Sequence, residues 1–230
     1  MRWFLTLVIG LAAGFAGAAA WDLTGLGGQS TRDYLLANPE VLPEAMGVLQ
    51  QREQLARIEP LRRELETPFP GAVLGNPRGT VTLVEFSDYA CTYCRQSVAD
   101  VAALIAANPD LRVVMREYPI LTADSVEAAR MALAAAQQGR YAAFHDAMFR
   151  LGPPSAQSID AAAKEAGVDL ARARTAIASG AFDSQLHANA SLASALGISG
   201  TPGWVVGDQT LNGAVGRETM GEAIAEARPS

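Results

Sequence analysis

The pattern of apolar and polar residues divides the chain into an apolar leader, a helical segment and a larger region of mixed strands and helices. In the helical segment, helices are predicted over residues 32–37 and 44–59. The apolar residues on roughly one face of the second helix are Leu42, Met46, Leu49, Leu55 and Ile58. A polar run at 50–54 interrupts this face, and the proline-rich stretch at 67–71 predicts a flexible linker after it.

From residue 72 onward short strands alternate with helices, which is typical of an α/β fold. The pattern predicts strands at 72–74 and 80–86 joined by a turn, then a helix at 92–107 and a strand at 111–118. Several helices are predicted between 124 and 196, and a β-hairpin and a final helix follow them. The hairpin strands are 204–206 and 210–212 with Gly207-Asp208 at the turn, and the last helix is 218–227.

The leader, residues 1–20, is predicted to be a secretory signal peptide. Arg2 precedes an apolar stretch, and small residues follow with plausible cleavage after Ala18 or Ala20. The alternative is an uncleaved membrane anchor, since 18 residues are borderline for spanning a bilayer. Both interpretations put the body of the protein outside the cytoplasm, and we expect a periplasmic location.

The amino-acid composition argues against a disordered chain and against a nucleic-acid-binding protein. Half of the residues are hydrophobic and 18% are charged, so the chain is globular rather than disordered. The formal net charge is −6 and there is no basic stripe, so we expect no nucleic-acid partner.

The sequence has two cysteines, Cys91 and Cys94, and they stand at the start of a predicted helix. A disulfide between them closes a very short loop and stabilises little, so its role is more chemical than structural. Unpaired amides and the helix dipole at this end stabilise a thiolate on Cys91. The alternatives are an inert disulfide or half of a zinc site, but the only histidines, His145 and His187, have no zinc-finger spacing. We expect no metal and no cofactor.

Two segments carry a family resemblance. Residues 86–95 (FSDYACTYCR) resemble the active-site segment of the DsbA family of thiol–disulfide oxidoreductases, and residues 197–204 (GISGTPGW) are similar to its cis-proline loop. The resemblance covers about 70–227. It implies a thioredoxin-like fold with a helical insertion at about 123–196, preceded here by an N-terminal helical extension.

The resemblance also implies roles for single residues. Cys91 is the nucleophile, Cys94 the resolving thiol, and Thr201 and Pro202 form a loop with a cis peptide bond that faces the disulfide and binds substrate, together with Tyr93. Glu85 matches an acidic residue beneath the active site and is expected to be buried, with a raised pKa, as proton acceptor for Cys94. The alternative for Glu85 is an edge position paired with an arginine. Asp88 and Tyr89 are expected to shape the rim of the site.

Two features refine the resemblance. The family's strongest oxidants have a histidine between the cysteines, where this chain has Thr92 and Tyr93, so a weaker oxidant is expected. Residues 32–40 resemble the extension of the suppressor-of-copper-sensitivity C and Com1-like branch, which implies a homo-oligomer formed through residues 21–67 and disulfide isomerase or reductase activity. A solvated helical arm is the alternative for this segment.

The expected organisation is therefore a signal peptide (1–20), a helical segment (21–67) and a catalytic domain (68–230). The expected partners are protein substrates with cysteines and a membrane redox protein that recycles the active site. A DsbA-type dithiol oxidase is the alternative within this class. A periplasmic Cu(I)-binding protein is the alternative outside it, because soft thiolates suit that metal.

Overall fold

The computed structural model describes residues 2–23 and 26–228, which fall into two compact units, Met1–Gln50 and Gln51–Ser230. The first unit is helical, with α1 (Arg2–Leu23), α2 (Leu26–Ala37) and the beginning of α3 (Val41–Ile58). α2 and α3 therefore start earlier than the sequence pattern predicts. None of the helices in the described ranges is long and apolar enough to cross a membrane.

The second unit begins within α3 and continues through a 3₁₀ turn (Glu59–Leu61) into α4 (Arg62–Glu66). Ile58 and Leu65 are fully buried there, in one cluster with strand residues of the sheet. The sequence predicts a boundary between residues 67 and 68, whereas the two compact units divide after Gln50. Residues 51–67 belong to the second unit, where their apolar side chains complete its core.

A five-stranded sheet forms the centre of the second unit. Its first half contains β1 (Val73–Gly75), β2 (Val81–Ser87), α5 (Thr92–Ala107) and β3 (Leu111–Glu117). β2 and β3 are parallel neighbours joined by the α5 crossover, as the predicted βαβ unit requires. β1 pairs antiparallel with β3, so it does not lie beside the strand that follows it in sequence.

Five helices separate the two halves of the sheet, which confirms the predicted insertion. They are α6 (Ala123–Ala136), α7 (Tyr141–Leu151), α8 (Ala156–Glu165), α9 (Leu170–Ala178) and α10 (Asp183–Ala195). The chain then returns as the hairpin β4 (Gly203–Val206) and β5 (Gln209–Asn212) and ends in α11 (Gly216–Glu226). The strand order is β1-β3-β2-β4-β5, a mixed α/β sheet with a helical insertion and a helical N-terminal region.

Because side chains alternate across a strand, β2 and β3 bury two different sets of residues. We call the side with Leu83, Glu85 and Met115 the odd face, and the side with Val84, Phe86 and Arg116 the even face. The odd face packs in the larger core, which includes residues of α5, α6, α7 and α11. The even face packs against Ile58, Leu65 and residues of α10 in a smaller core.

Candidate active site

Cys91 occupies the N-cap position of α5, in the loop that follows β2. Its sulfur accepts a hydrogen bond from the Cys94 amide, with 3.4 Å between nitrogen and sulfur. An N-cap atom meets amides that have no partner within the helix, so the first turn of α5 provides donors for negative charge on this sulfur. Both cysteines are free thiols; Cys91 is 6% exposed and Cys94 is completely buried.

The loop before β4 brings Thr201 and Pro202 to the same place. The Thr201–Pro202 peptide bond is cis, as the sequence resemblance implies. The Cys91 thiol donates a hydrogen bond to the Thr201 carbonyl, at 3.1 Å from sulfur to oxygen. Segments 110 residues apart in sequence meet here because β4 pairs with β2, with Gly203 opposite Phe86.

Gly203 allows this loop to pack tightly. A Cβ atom at this position would lie 2.4 Å from Ile198 Cγ2, so any larger residue would push the loop apart. The site is therefore built from the start of α5 and a loop whose position depends on β4.

Glu85 lies on the odd face of β2 and is 3% exposed, which confirms the expected burial. Burial raises the pKa of Glu85 to about 8, and the Ser87 hydroxyl offsets part of this rise. The pKa of the Cys94 thiol is raised too, by burial first and by the negative charge of Glu85 second. An ionised carboxylate with a raised pKa is a stronger base than an exposed one, so Glu85 is suited to accept a proton at the buried side of the site.

Asp88 and Tyr89 are interior residues, so the expectation that they shape the rim is wrong. The Asp88 carboxylate accepts hydrogen bonds from the amides of Ala90 (2.8 Å), Ile120 (2.9 Å) and Leu121 (3.0 Å). It thereby ties the cysteine loop to the loop that follows β3. The Tyr89 ring packs among aromatic side chains of α7, Phe144 and Phe149 with ring centroids at 5.8 and 4.9 Å and His145 at 6.1 Å.

Sequence reasoning missed a second buried acid, Glu117, at the end of β3. Its Oε1 accepts hydrogen bonds from the hydroxyls of Tyr141 (2.6 Å) and Tyr89 (3.2 Å). Burial raises the pKa of Glu117 to about 8, and the two tyrosine hydroxyls offset part of the rise. The signal available in the sequence was a carboxylate at the end of the second parallel strand, where strand ends of a βαβ unit meet.

The remaining candidates lie in different surroundings. The Tyr93 side chain is 60% exposed beside Cys91, and is open to a docking peptide. His145 is buried in the aromatic cluster of α7, as expected of a core histidine. Among residues 2–23 and 26–228 no three His, Cys, Asp or Glu side chains are grouped to hold a metal ion.

The model of the DSBA-like thioredoxin domain family matches residues 82–225. The chain belongs to this family. The family comprises thiol–disulfide oxidoreductases with a thioredoxin fold, so the family resemblance seen in the sequence is confirmed. A second model, the N-terminal domain of the copper resistance protein ScsC, matches residues 29–56.

Solved structures agree with this assignment. A thioredoxin-like oxidoreductase from Silicibacter pomeroyi is 41% identical, with a TM-score of 0.66 over 69% of this chain and 92% of that one. The thiol-disulfide exchange protein alpha-DsbA2 from Wolbachia pipientis is 25% identical, with a TM-score of 0.71 over 78% and 98%. Proteus mirabilis ScsC in a compact conformation is 25% identical, with a TM-score of 0.60 over 81% and 96%.

The chain spans about a quarter of the length of the curated relatives it matches. The Na(+)/H(+) antiporter NhaA 3 of Salinispora tropica is 28% identical over 161 residues, which are 67% of this chain and 24% of that protein.

Proposed function

We propose that this protein is a periplasmic thiol–disulfide oxidoreductase that exchanges disulfides with protein substrates through Cys91 and Cys94, with Cys91 as the attacking thiol. The observation that carries the proposal is the position of Cys91. Its sulfur is the N-cap atom of α5 and lies against the cis-proline loop, at 3.1 Å from the Thr201 carbonyl oxygen. A sulfur that lies between the amides at a helix start and the main chain of the cis-proline loop is placed to react with an extended substrate chain that carries a disulfide.

In the first step the Cys91 thiolate attacks one sulfur of a substrate disulfide. A mixed disulfide forms between Cys91 and the substrate, and the other substrate sulfur leaves as a thiolate and takes up a proton. Thr201, Pro202 and the exposed Tyr93 are the residues that position the substrate segment.

In the second step Cys94 transfers its proton to Glu85 and attacks the Cys91 sulfur. The mixed disulfide breaks, the second substrate sulfur leaves as a thiolate, and the Cys91–Cys94 disulfide remains. Two electrons have then passed from the enzyme to the substrate. Isomerisation follows the first step alone: the released substrate thiolate attacks a second substrate disulfide, and the thiolate freed there attacks the mixed disulfide, forms a new substrate disulfide and releases the Cys91 thiolate.

We assign the enzyme to the isomerase or reductase side of the family. Thr92 and Tyr93 provide no cationic side chain between the cysteines, so the reduced form lacks one source of thiolate stabilisation and the enzyme is a weaker oxidant. A membrane redox partner returns the cysteines to the dithiol form. A dithiol oxidase would instead be kept as the disulfide, so alkylating the free thiols in growing cells distinguishes the two directions.

The N-terminal region is the basis for proposing that the protein is exported and forms oligomers. Residues 1–20 have the pattern of a signal peptide. In the first unit, Leu42, Met46 and Leu49 of α3 are each more than half exposed, and a helix that presents such residues can bury them against copies of itself. We assign the oligomerisation arm to residues 21–50, because residues 51–67 belong to the catalytic unit. Several active sites on one assembly raise the effective concentration of thiols near a misfolded chain, which favours isomerisation.

Single-cysteine variants test the activity. Cys91→Ser should lower the rate of disulfide exchange with a peptide substrate by at least about a thousandfold, because the nucleophile is gone. Cys94→Ala should still attack and then accumulate as a mixed disulfide, visible by intact-protein mass spectrometry. Gln96→Ala, an exposed change in the same helix, is the matched control and should behave as the parent protein.

The proposal fails if Cys91→Ser retains exchange, or if Cys94 turns out to be the residue trapped with substrate. Stoichiometric Cu(I) binding by a protein without any exchange activity would favour the copper-binding alternative.

A further inference from the structure

Glu85 and Glu117 stand on the odd face of two adjacent parallel strands. In the register of β2 and β3, Ser87 lies opposite Glu117, and Glu85 is two residues earlier on the same face. Strands are about 4.8 Å apart and rise about 3.3 Å per residue, so the two Cα atoms are about 8 Å apart. Each carboxyl lies within range of the other's charge, in a region from which water is excluded.

Glu117 accepts side-chain hydrogen bonds through one of its two carboxyl oxygens. Both of its hydrogen bonds, from Tyr89 and Tyr141, end on Oε1. Oε2 is buried without a hydrogen-bond partner, and so is Nε2 of His145. Leaving a buried carboxyl oxygen unpaired costs more free energy when the group is ionised than when it is neutral, so this arrangement favours the protonated form of Glu117.

The surroundings of Glu117 favour the protonated form of its carboxyl group. The largest influences on its ionisation are burial, the two tyrosines, and the negative charges of Asp88 and Glu85, and no cation is among them. The titratable and polar groups that act on Glu117 are Glu85 of β2, Asp88 and Tyr89 of the cysteine loop, and Tyr141 of α7, on which the His145 ring stacks; the Asn189 amide of α10 donates to the Glu117 main-chain carbonyl. Cys94 of α5 lies within range of the Glu85 charge.

We propose that Glu117 is a positioning residue of the redox centre that acts on Cys94 through Glu85, the two carboxyls forming a pair whose members ionise one after the other. The inference rests on the proposed function, since it assigns the resolving step a proton acceptor made of two groups. Like charges in a buried site do not ionise together at the same pH, so the pair titrates in two separate steps.

The proton balance follows from the pair. The form of the pair that accepts the proton is the singly ionised one, which carries one proton and one negative charge. Cys94 gives up its proton, the pair then carries two, and the Cys94 thiolate forms the disulfide with Cys91 while the substrate thiolate leaves. The pair returns a proton to the departing thiolate or to water and is ready for the next cycle.

Infrared difference spectroscopy of the carboxyl C=O stretch, as a function of pH in the reduced protein, measures the pair directly. The parent should lose protonated carboxyl signal in two steps. Glu117→Gln should leave one step, with a midpoint lower than the upper parent step by on the order of one pH unit, because a neighbouring negative charge is gone. Tyr141→Phe removes a donor to ionised Glu117 and should move the upper step to higher pH.

The pH profile of the resolving step, followed as decay of a preformed Cys91 mixed disulfide, should shift in the same directions in the two variants. Glu218→Gln, an exposed change in α11, is the control and should leave both the infrared titration and the profile unchanged. Opposite shifts from two conservative changes at one site are not produced by a general loss of stability.

A single carboxyl step in the parent, or a Glu117→Gln titration and profile that superimpose on those of Glu218→Gln, overturns the inference while leaving the oxidoreductase intact. A parent protein that shows two coupled steps but exchanges no disulfides overturns the proposed function instead, and removes the catalytic role of the pair with it.

Discussion

The two faces of β2 and β3 bury charge in different ways. On the even face Arg116 is 3% exposed, and its two terminal nitrogens donate to the carbonyls of Glu64, Leu65 and Thr67 and to Asn189 Oδ1, while its Nε is buried without a partner. On the odd face Glu85 and Glu117 are equally buried, yet Glu117 leaves one carboxyl oxygen unpaired and both acids have raised pKa values.

The difference separates a structural charge from a chemical one. Arg116 always carries its charge, and main-chain carbonyls compensate it by closing the end of α4 onto the sheet. A carboxyl can instead lose its charge by taking up a proton, so incomplete compensation favours its neutral form. The even face therefore holds the unit together, whereas the odd face is the one to which we assign proton exchange.

The largest effect on stability is expected when the segment that covers the even face is deleted. A protein that begins at residue 68 loses Ile58 and Leu65 from the core and the three carbonyls bound by Arg116, and its free energy of unfolding should fall by at least about 5 kcal/mol. A protein that begins at residue 51 is the matched control and should stay within about 0.5 kcal/mol of the parent in urea denaturation.

The truncation at residue 51 also tests whether residues 21–50 form an oligomerisation arm. In sedimentation, the chain from residue 21 should be an oligomer and the chain from residue 51 a monomer. Equal stability of the two truncated proteins would show that residues 51–67 do not complete the core.

A smaller effect is expected from Arg116 alone. Arg116→Met keeps most of the side-chain volume but leaves buried carbonyls without a donor, which should cost about 3–5 kcal/mol in urea denaturation. Arg112→Met changes the same side-chain type on the same face of β3, where the residue is only partly buried and bonds Thr82 Oγ1. Its cost should be below about 1 kcal/mol, and equal costs would argue against a special role of Arg116.

The last effect concerns pH. Folding raises the carboxyl pKa values of Glu85 and Glu117 from 4.5 to about 8, so the folded protein binds more protons than the unfolded chain between these values. The contribution of these groups to the stability of the reduced protein should therefore be fully present below about pH 4.5 and be lost as pH rises through about 8.

Urea denaturation across this pH range, with reductant present, measures the slope. The double variant Glu85→Gln/Glu117→Gln should flatten it, whereas Glu218→Gln should keep it. A parent protein whose stability rises over the same range would contradict the raised pKa values of the odd face.

Several features were determined by the sequence itself. The cysteine pair at the start of α5, the buried strand with Glu85 and the β4–β5 hairpin follow from local patterns. Such patterns reflect the helix and strand periods and turn preferences, which depend on residues close in the chain. The contact of the cis-proline loop with Cys91 was accessible only through family resemblance, because no local pattern relates segments 110 residues apart.

Other features were decided only by the tertiary structure. The polar run at 50–54 and the prolines after it indicated a linker, but Ile58 and Leu65 fill the even face once β2, β4 and α10 are assembled. Asp88 and Tyr89 look like surface residues in sequence, and become interior because their partners come from the loop after β3 and from α7. The role that we assign to Glu117 depends on its closeness to Glu85, and this closeness follows from the register of β2 and β3. Burial and contacts between distant segments depend on the free energy of packing of the whole unit. Local sequence patterns reflect only residues that are close in the chain, so they do not reveal these contacts.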